Sequence, residues 1–435
     1  MDFQAKGHGK LIYEGRALQC IQLSVAYQSH RFNMRSFVLP FTSVLILANL
    51  SVAFPIAGLH PGSLEGFKDA VLSLSAGGSA ICITGTVAVN VSTSTNEKLH
   101  FGEPSSQFAV TETFVEFLSV NSSLQTRVYG GDASVSGTFN INAKLCYPVG
   151  WSAKKSSKAI QFLIHGIGFD KSYWDFAKQY SYIDAAAAAG YPTFSYDRLG
   201  TGASDHPNPI QVVQSSLQVE IAHSLIQSLR AGRFGSQKFD YVVGVGHSFG
   251  SIQFIGITAT YPKDLDAVIL TGFSLNTNGL GLTFADFNLA IASQNQPLRF
   301  ANLPSGYLVT GSSISNQFAF FRYPQFDPRV FAQDESTKQT VTFGEIFTVT
   351  KPIVPAEYFT GPVDVVIGEF DMIFCQANCT EPSDQSVMVQ PALYPAASNG
   401  SQAYIVPGAG HAINLHLEAN KAFAQIQGFV KVNGF

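Results

Sequence analysis

The sequence predicts an α/β protein, a mostly parallel sheet with helices on both faces. Three observations carry this reading. Short, nearly all-apolar runs such as "AIQFLIH" at 159–165 and "DYVVGVG" at 240–246 have the composition of strands buried on both sides. Each leads into a longer stretch of helical character, so strands and helices alternate along the chain. With 435 residues and 46% hydrophobic content, the chain can bury so large a sheet.

The N-terminus reads first as a processing signal and not as structure. From Met34, "MRSFVLPFTSVLILANLSVAFP" has a positive start at Arg35, an apolar run from Phe37 to Leu50, and small residues at Ser51 and Ala53. A secretory signal peptide is expected at 34–53, with residues 1–33 as an upstream extension. A signal anchor is the alternative, but the run is short for a span and carries Pro40, Thr42, Ser43 and Asn49. Cleavage near Ala53 removes Cys20 and leaves Cys82, Cys146, Cys375 and Cys379, an even set suited to an oxidising compartment. The expected pairs are Cys82–Cys146 and Cys375–Cys379. Sequons at Asn90, Asn121, Asn378 and Asn399 fit the same route. Asn378 lies inside the small Cys375–Cys379 ring and is the least suited to carry sugar.

Residues 54–157 read as a β-rich N-terminal region. The runs "AICITGTVAVNVS", "FAVTETFVEFLSV" and "SVSGTFNINAKLCYP" gather β-formers between Gly, Asn and Ser turns. From 158 to 435 the alternating pattern takes over. Strands are expected at 159–165, 191–197, 240–246 and 266–272, separated by helical stretches at 172–190, 210–232 and 249–261. Residues 274–360 break the alternation, being rich in Phe, Gly, Asn and Ser with weak periodicity. Strands at 363–371 and 402–408 resume it, and a helix from about Ala412 to Val432 closes the chain with a stripe through Leu415, Ala419, Ala422, Phe423, Ile426 and Val430. An insertion late in a parallel sheet lies over the carboxyl ends of its strands, where ligands bind. The 274–360 segment is therefore expected to be a lid, and Phe318, Phe320, Phe321 and Phe326 in "QFAFFRYPQF" are its candidate pocket residues, with packing of the lid itself as the competing role.

The chemistry centres on "GHSFG" at 246–250. Ser248 stands between an apolar strand and a helix, with glycine two places before and two after. A serine on so sharp a turn needs neighbours without side chains, and the following helix aims free N–H groups at it. Together with "HGIG" at 165–168, "DRLGTGASD" at 197–205, "GEFD" at 368–371 and "GAGHA" at 408–412, this motif makes residues 158–435 resemble an α/β-hydrolase. The β-rich extension resembles that of secreted fungal members of the superfamily. The resemblance implies the α/β-hydrolase fold and a triad in the order serine, acid, histidine: Ser248, Asp371 and His411. Glu369 and then Asp384 remain rivals for the acid, and His416 is expected to be a packing or surface residue. Oxyanion N–H groups are implied at Ile167, with Gly168 as alternative, and at Phe249. His165, His247, Asp197 and Arg198 are expected to be scaffold, the last two holding a tight loop.

Composition excludes other classes. Charged residues are 13% of the chain and the net charge is −4, so no basic surface exists for nucleic acid. No His, Cys and carboxylate cluster has metal-ligand spacing, and the expected chemistry needs no cofactor. Epoxide hydrolases and haloalkane dehalogenases of this fold carry aspartate at the elbow, which serine argues against. The expectation is a secreted serine hydrolase of an apolar, small-molecule acyl substrate (ester, lactone or related bond) with no membrane span after processing. An amidase, aminopeptidase or natural-product tailoring hydrolase shares these features, and a slow or non-catalytic ligand-binding protein is the alternative of another class.

Overall fold

The computed structural model describes residues 64–152 and 158–435. The expected signal peptide at 34–53 and the extension before it lie outside the described residues. Twelve strands are described, in chain order β1 (Lys68–Leu74), β2 (Ala80–Leu99), β3 (Tyr129–Pro148), β4 (Ala159–Ile164), β5 (Thr193–Tyr196), β6 (Tyr241–His247), β7 (Ala267–Thr271), β8 (Ala290–Ile291), β9 (Tyr307–Val309), β10 (Val341–Thr342), β11 (Val363–Gly368) and β12 (Gln402–Val406). Nine of them form one sheet in the order β1-β2-β3-β5-β4-β6-β7-β11-β12. From β5 to β12 every pairing is parallel, while β1, β2 and β3 join it antiparallel. This is the α/β-hydrolase fold, with the N-terminal region extending its sheet.

The central strands are buried along their length, as their apolar composition requires: β4, β5, β7 and β11 expose no residue. Helices pair against them, Tyr182–Ala188 with Ala419–Val432 and Ser215–Arg230 with Phe249–Thr260. Tyr182 meets Phe423 edge-on at 5.4 Å between ring centres. The buried Gln161 of β4 is satisfied by Tyr182 and Gln427, so this polar group costs the core little. β2 and β3 run for 20 residues each, and the disulfide Cys82–Cys146 joins a directly opposed pair in their register.

Three elements differ from the sequence expectation. Residues 107–118, expected to be a strand, form a helix (Gln107–Leu118). The Ser106 side chain accepts the Ala109 N–H, and Val110, Phe114 and Phe117 turn one stripe inward at helical spacing. Burial of that stripe overrides the strand preference of Val, Thr and Phe. The last helix starts at Ala419 and not at Ala412, because residues 413–415 make a short 3-10 turn and the His416 ring binds loop backbone. The 172–190 stretch splits into a 3-10 turn at Lys171–Trp174 and the helix Tyr182–Ala188, joined through an Asp175–Ser181 bridge.

Between β7 and β11 the chain inserts residues 272–362. They contain the helices Leu280–Phe287, Ser313–Phe320, Pro328–Thr337 and Phe343–Thr348 and a small antiparallel sheet ordered β10-β9-β8. No helix among the described residues is long and apolar enough to cross a membrane.

Candidate active site

Ser248 links β6 to the helix Phe249–Thr260 with φ 55° and ψ −115°. Positive φ at a non-glycine residue stores about 1–3 kcal/mol of strain and persists only where surroundings enforce it. Here the Ser248 N–H donates to Thr271 O at 2.8 Å. A Cβ on Gly250 would strike the Ile164 carbonyl, one on Gly246 the Ser251 nitrogen, and one on Gly166 the Ser248 Cβ. Glycine at 246 and 250 is thus the steric requirement of this turn. Phe249 is the first residue of its helix, where the N–H has no intrahelical acceptor.

Asp371 and His411 come from the ends of neighbouring strands. Asp371 follows β11 and caps the short helix Met372–Cys375, its Oδ1 accepting the Phe374 N–H at 3.0 Å. Its Oδ2 lies 2.6 Å from Nδ1 of His411, and both side chains are fully buried. With Nδ1–H donated to the carboxylate, Nε2 of His411 is left as a free lone pair, and it has no hydrogen-bond partner. Ser248 Oγ therefore makes no hydrogen bond to the ring in this structure. The rival acids go elsewhere: Glu369 accepts the Gly408 N–H, and Asp384 bonds within its own loop to Ser386.

The other three histidines of the neighbourhood bond to backbone groups or stack on neighbouring rings. Nε2 of His165 accepts the Arg198 N–H, and burial, then the Arg198 charge, holds its pKa well below the usual value. His247 stacks on Tyr173 at 4.4 Å and sits 4.9 Å from the His411 ring. Burial, then the nearness of His411, pushes its pKa well down. His416, pushed down to about 4 by burial, accepts the N–H groups of Gly410 and Arg322.

Asp197 holds its tight loop through the Ala203 N–H and Lys171. Arg198 shares that task only through its carbonyl, which accepts from Thr201. Its side chain is fully buried, pairs with Glu345 of the insertion and with Gln218, and lies 4.7 Å from the centre of the Phe249 ring.

A narrow cavity of about 40 Å³ opens on Ser248. Ile167, Phe249 and Ile252 line it from the core, with Ile373 and Phe374 beside the acid. Leu280, Thr283, Phe284, Phe287, Phe320 and Val349 close it from the insertion. Of the four phenylalanines expected to form the pocket, only Phe320 does so. Phe321 and Phe326 pack on Phe331 and His416, and Phe318 is half exposed, which leaves Phe320 alone of the four at the cavity. Sequence reasoning missed Leu280, Phe284 and Phe287. Their i, i+4, i+7 spacing in "LGLTFADF" was the available signal.

The second disulfide, Cys375–Cys379, closes its ring against the acid loop: Cys375 and Ala377 donate backbone N–H groups to Asp371 O, and Cys379 to Glu369 O. Asn90, Asn121, Asn378 and Asn399 are all exposed. Among the described residues, no group of three or more His, Cys, Asp or Glu side chains is gathered to hold a metal ion.

Residues 162–426 match the sequence profile described as the alpha/beta hydrolase family. No curated protein sequence matches the chain. Among solved structures, a thermophilic esterase from Thermogutta terrifontis aligns at 14% identity and TM-score 0.48, covering 68% of this chain and 95% of that one. The 2-hydroxy-6-oxo-6-phenylhexa-2,4-dienoate hydrolase of Rhodococcus sp. strain RHA1 aligns at 16% identity and TM-score 0.46, covering 68% and 96%. A monoacylglycerol lipase from Paleococcus ferrophilus aligns at 16% identity and TM-score 0.44, covering 64% and 96%.

Proposed function

The chain belongs to the alpha/beta hydrolase family, and from that premise we propose that it is a secreted serine hydrolase of an ester, lactone or related acyl bond. The observation that carries this reading is a serine held at φ 55° on an elbow, with a buried His–Asp pair 2.6 Å apart on neighbouring strand ends. Ser248 Oγ attacks the carbonyl carbon while Nε2 of His411 takes its proton. Asp371 fixes the tautomer and stabilises the imidazolium. The N–H groups of Ile167 and Phe249 hold the oxyanion, a contribution worth about 10²–10³ in rate per donor. His411 then protonates the leaving group, and water attacks the acyl-enzyme with His411 as base.

The insertion acts as a lid in this reading. The cavity beside Ser248 is narrow, and the insertion forms its outer wall, so movement of the insertion would widen it for substrate. Its aliphatic and aromatic walls favour an apolar acyl or alcohol group. Secretion rests on the 34–53 segment, on the two disulfides and on the exposed sequons. The mature protein should begin near Phe54, as N-terminal sequencing of secreted material will read. Purified protein should hydrolyse members of a panel of apolar esters and lactones, with amides as the contrasting set. Ser248→Ala should remove that turnover. A Ser248→Ala protein that hydrolyses the panel as the wild type does would refute the mechanism.

A further inference from the structure

The turn at 165–168 supplies one of the two proposed oxyanion donors, the Ile167 N–H, and the peptide that carries it begins at a glycine. Gly166 is a steric requirement, because a Cβ there would meet the Ser248 Cβ at 2.9 Å. Glycine also leaves the peptide plane after it free to rotate, having the softest backbone angles of any residue. A trans peptide is planar, with its C=O and N–H pointing opposite ways, so whatever holds Gly166 O also aims the Ile167 N–H. Two side chains hold that oxygen. His165 Nδ1–H donates to it at 2.9 Å, and Nη2 of Arg198 lies 3.4 Å from it. The two lone pairs of a carbonyl accept both. The His165 ring is itself fixed by the Arg198 N–H, which donates to Nε2 at 3.0 Å.

The guanidinium reaches this carbonyl with one arm of its fork. Nη1 donates to Gln218 at 2.8 Å and to Glu345 of the insertion, which leaves Nη2 for Gly166 O. The same group lies over the ring of Phe249, the other proposed oxyanion residue. Stability alone does not account for a charge in this place, since apolar residues of similar volume serve a core as well as a buried ion pair does. The insertion holds the turn at a second point, where the Gln339 N–H donates to Gly168 O at 2.8 Å. We propose that Arg198, anchored by Glu345, is a positioning residue that fixes the Gly166–Ile167 peptide so that the Ile167 N–H faces the oxyanion formed at Ser248. Arg198 is no part of the cavity wall, so it acts through the peptide and not on substrate. The oxyanion site is thereby complete only with the 339–345 segment of the insertion seated on the core. This rests on the serine hydrolase reading above and adds a residue to its machinery.

The test compares wild type, Arg198→Lys and the double variant Arg198→Met with Glu345→Leu on an apolar ester that the wild type hydrolyses. Exhaustive fluorophosphonate labelling counts active sites, so that kcat refers to folded enzyme. An alkyl trifluoromethyl ketone reports the oxyanion site separately. Ser248 Oγ adds to its carbonyl carbon, the serine proton passes to His411, and the carbonyl oxygen becomes the oxyanion. Both variants should lose about tenfold to a hundredfold in kcat per active site with KM nearly unchanged, a loss no larger than that of a whole donor. The inhibition constant of the ketone should rise by the same factor. Arg198→Lys keeps a cation beside Glu345 and gives up the fork, so it decides the matter if the double variant does not fold. The inference is overturned if kcat per active site matches wild type, whatever the thermal midpoint does. A fall in kcat with the ketone bound as tightly as before overturns it too, as does a rise in KM alone. Any of these results, with the wild type turning over its ester, defeats this inference alone. No turnover of any ester, with no covalent labelling of Ser248, defeats the serine hydrolase reading and this inference with it.

Discussion

Removing the Glu345 charge should destabilise the protein far more than an ordinary substitution, because Glu345 is the counter-charge of a fully buried arginine. Neither Arg198 nor Glu345 exposes any side-chain surface. Gln218 bridges the two, accepting from Arg198 at 2.8 Å and donating to Glu345 at 2.9 Å, while the other Glu345 oxygen accepts the Thr342 N–H at 2.9 Å. Glu345→Gln keeps the shape and leaves the guanidinium uncompensated, which costs about 3–5 kcal/mol at a buried site. Replacing both partners with apolar residues, Arg198→Met with Glu345→Leu, should cost much less than the sum of the two single changes. Urea unfolding of wild type, Arg198→Met, Glu345→Leu and the double variant closes the cycle. A coupling energy of roughly 2–4 kcal/mol is expected. A coupling near zero would refute the claim that this pair fastens the 341–348 segment of the insertion to the core beside Phe249.

The candidate triad should lose activity non-additively: Ser248→Ala and His411→Ala should each remove most turnover, with the double variant little worse. Asp371→Asn should be severe, whereas Glu369→Gln should spare kcat, and steady-state kinetics decide between them. Asp364, buried in β11, has its pKa pushed up to about 7 by burial. A raised carboxyl pKa means the folded state binds the proton more tightly, so its stabilisation is full below about pH 4 and is lost as pH rises through about 7. Asp364→Asn should therefore gain on wild type between pH 4 and pH 8, by up to roughly 4 kcal/mol, and a pH-independent difference in thermal midpoint would contradict this. Opening Cys375–Cys379 by a double Cys→Ser change should cost at most about 2 kcal/mol for so short a ring. Its larger effect should be a lower kcat with the fold intact, because the ring's backbone bonds to Asp371, and unchanged kcat would leave it a loop staple.

How far the sequence discloses this molecule depends on whether a constraint is local. The elbow is legible because its steric demand falls on Gly246 and Gly250, two residues either side of Ser248. Asp371 and His411 are legible because each follows an apolar strand, and strand ends are where this architecture gathers its loops. The cavity wall is not legible in the same way. Phe320 lines the cavity beside Ser248 while Phe321, the next residue, turns to Phe331, and only the packing of the insertion decides that. The partner of Arg198 lies 147 residues along the chain, in a segment whose periodicity is too weak to place. The helix at 107–118 is misread because its composition favours strands, while its capping serine and buried stripe favour the helix that forms.

The proposed nucleophile, Ser248, is open to a direct test by incubation with a fluorophosphonate followed by peptide mass mapping. One phosphonyl group should appear on the peptide containing Ser248, and no adduct in Ser248→Ala. An unlabelled wild-type protein, or an adduct that persists in Ser248→Ala, would contradict that assignment.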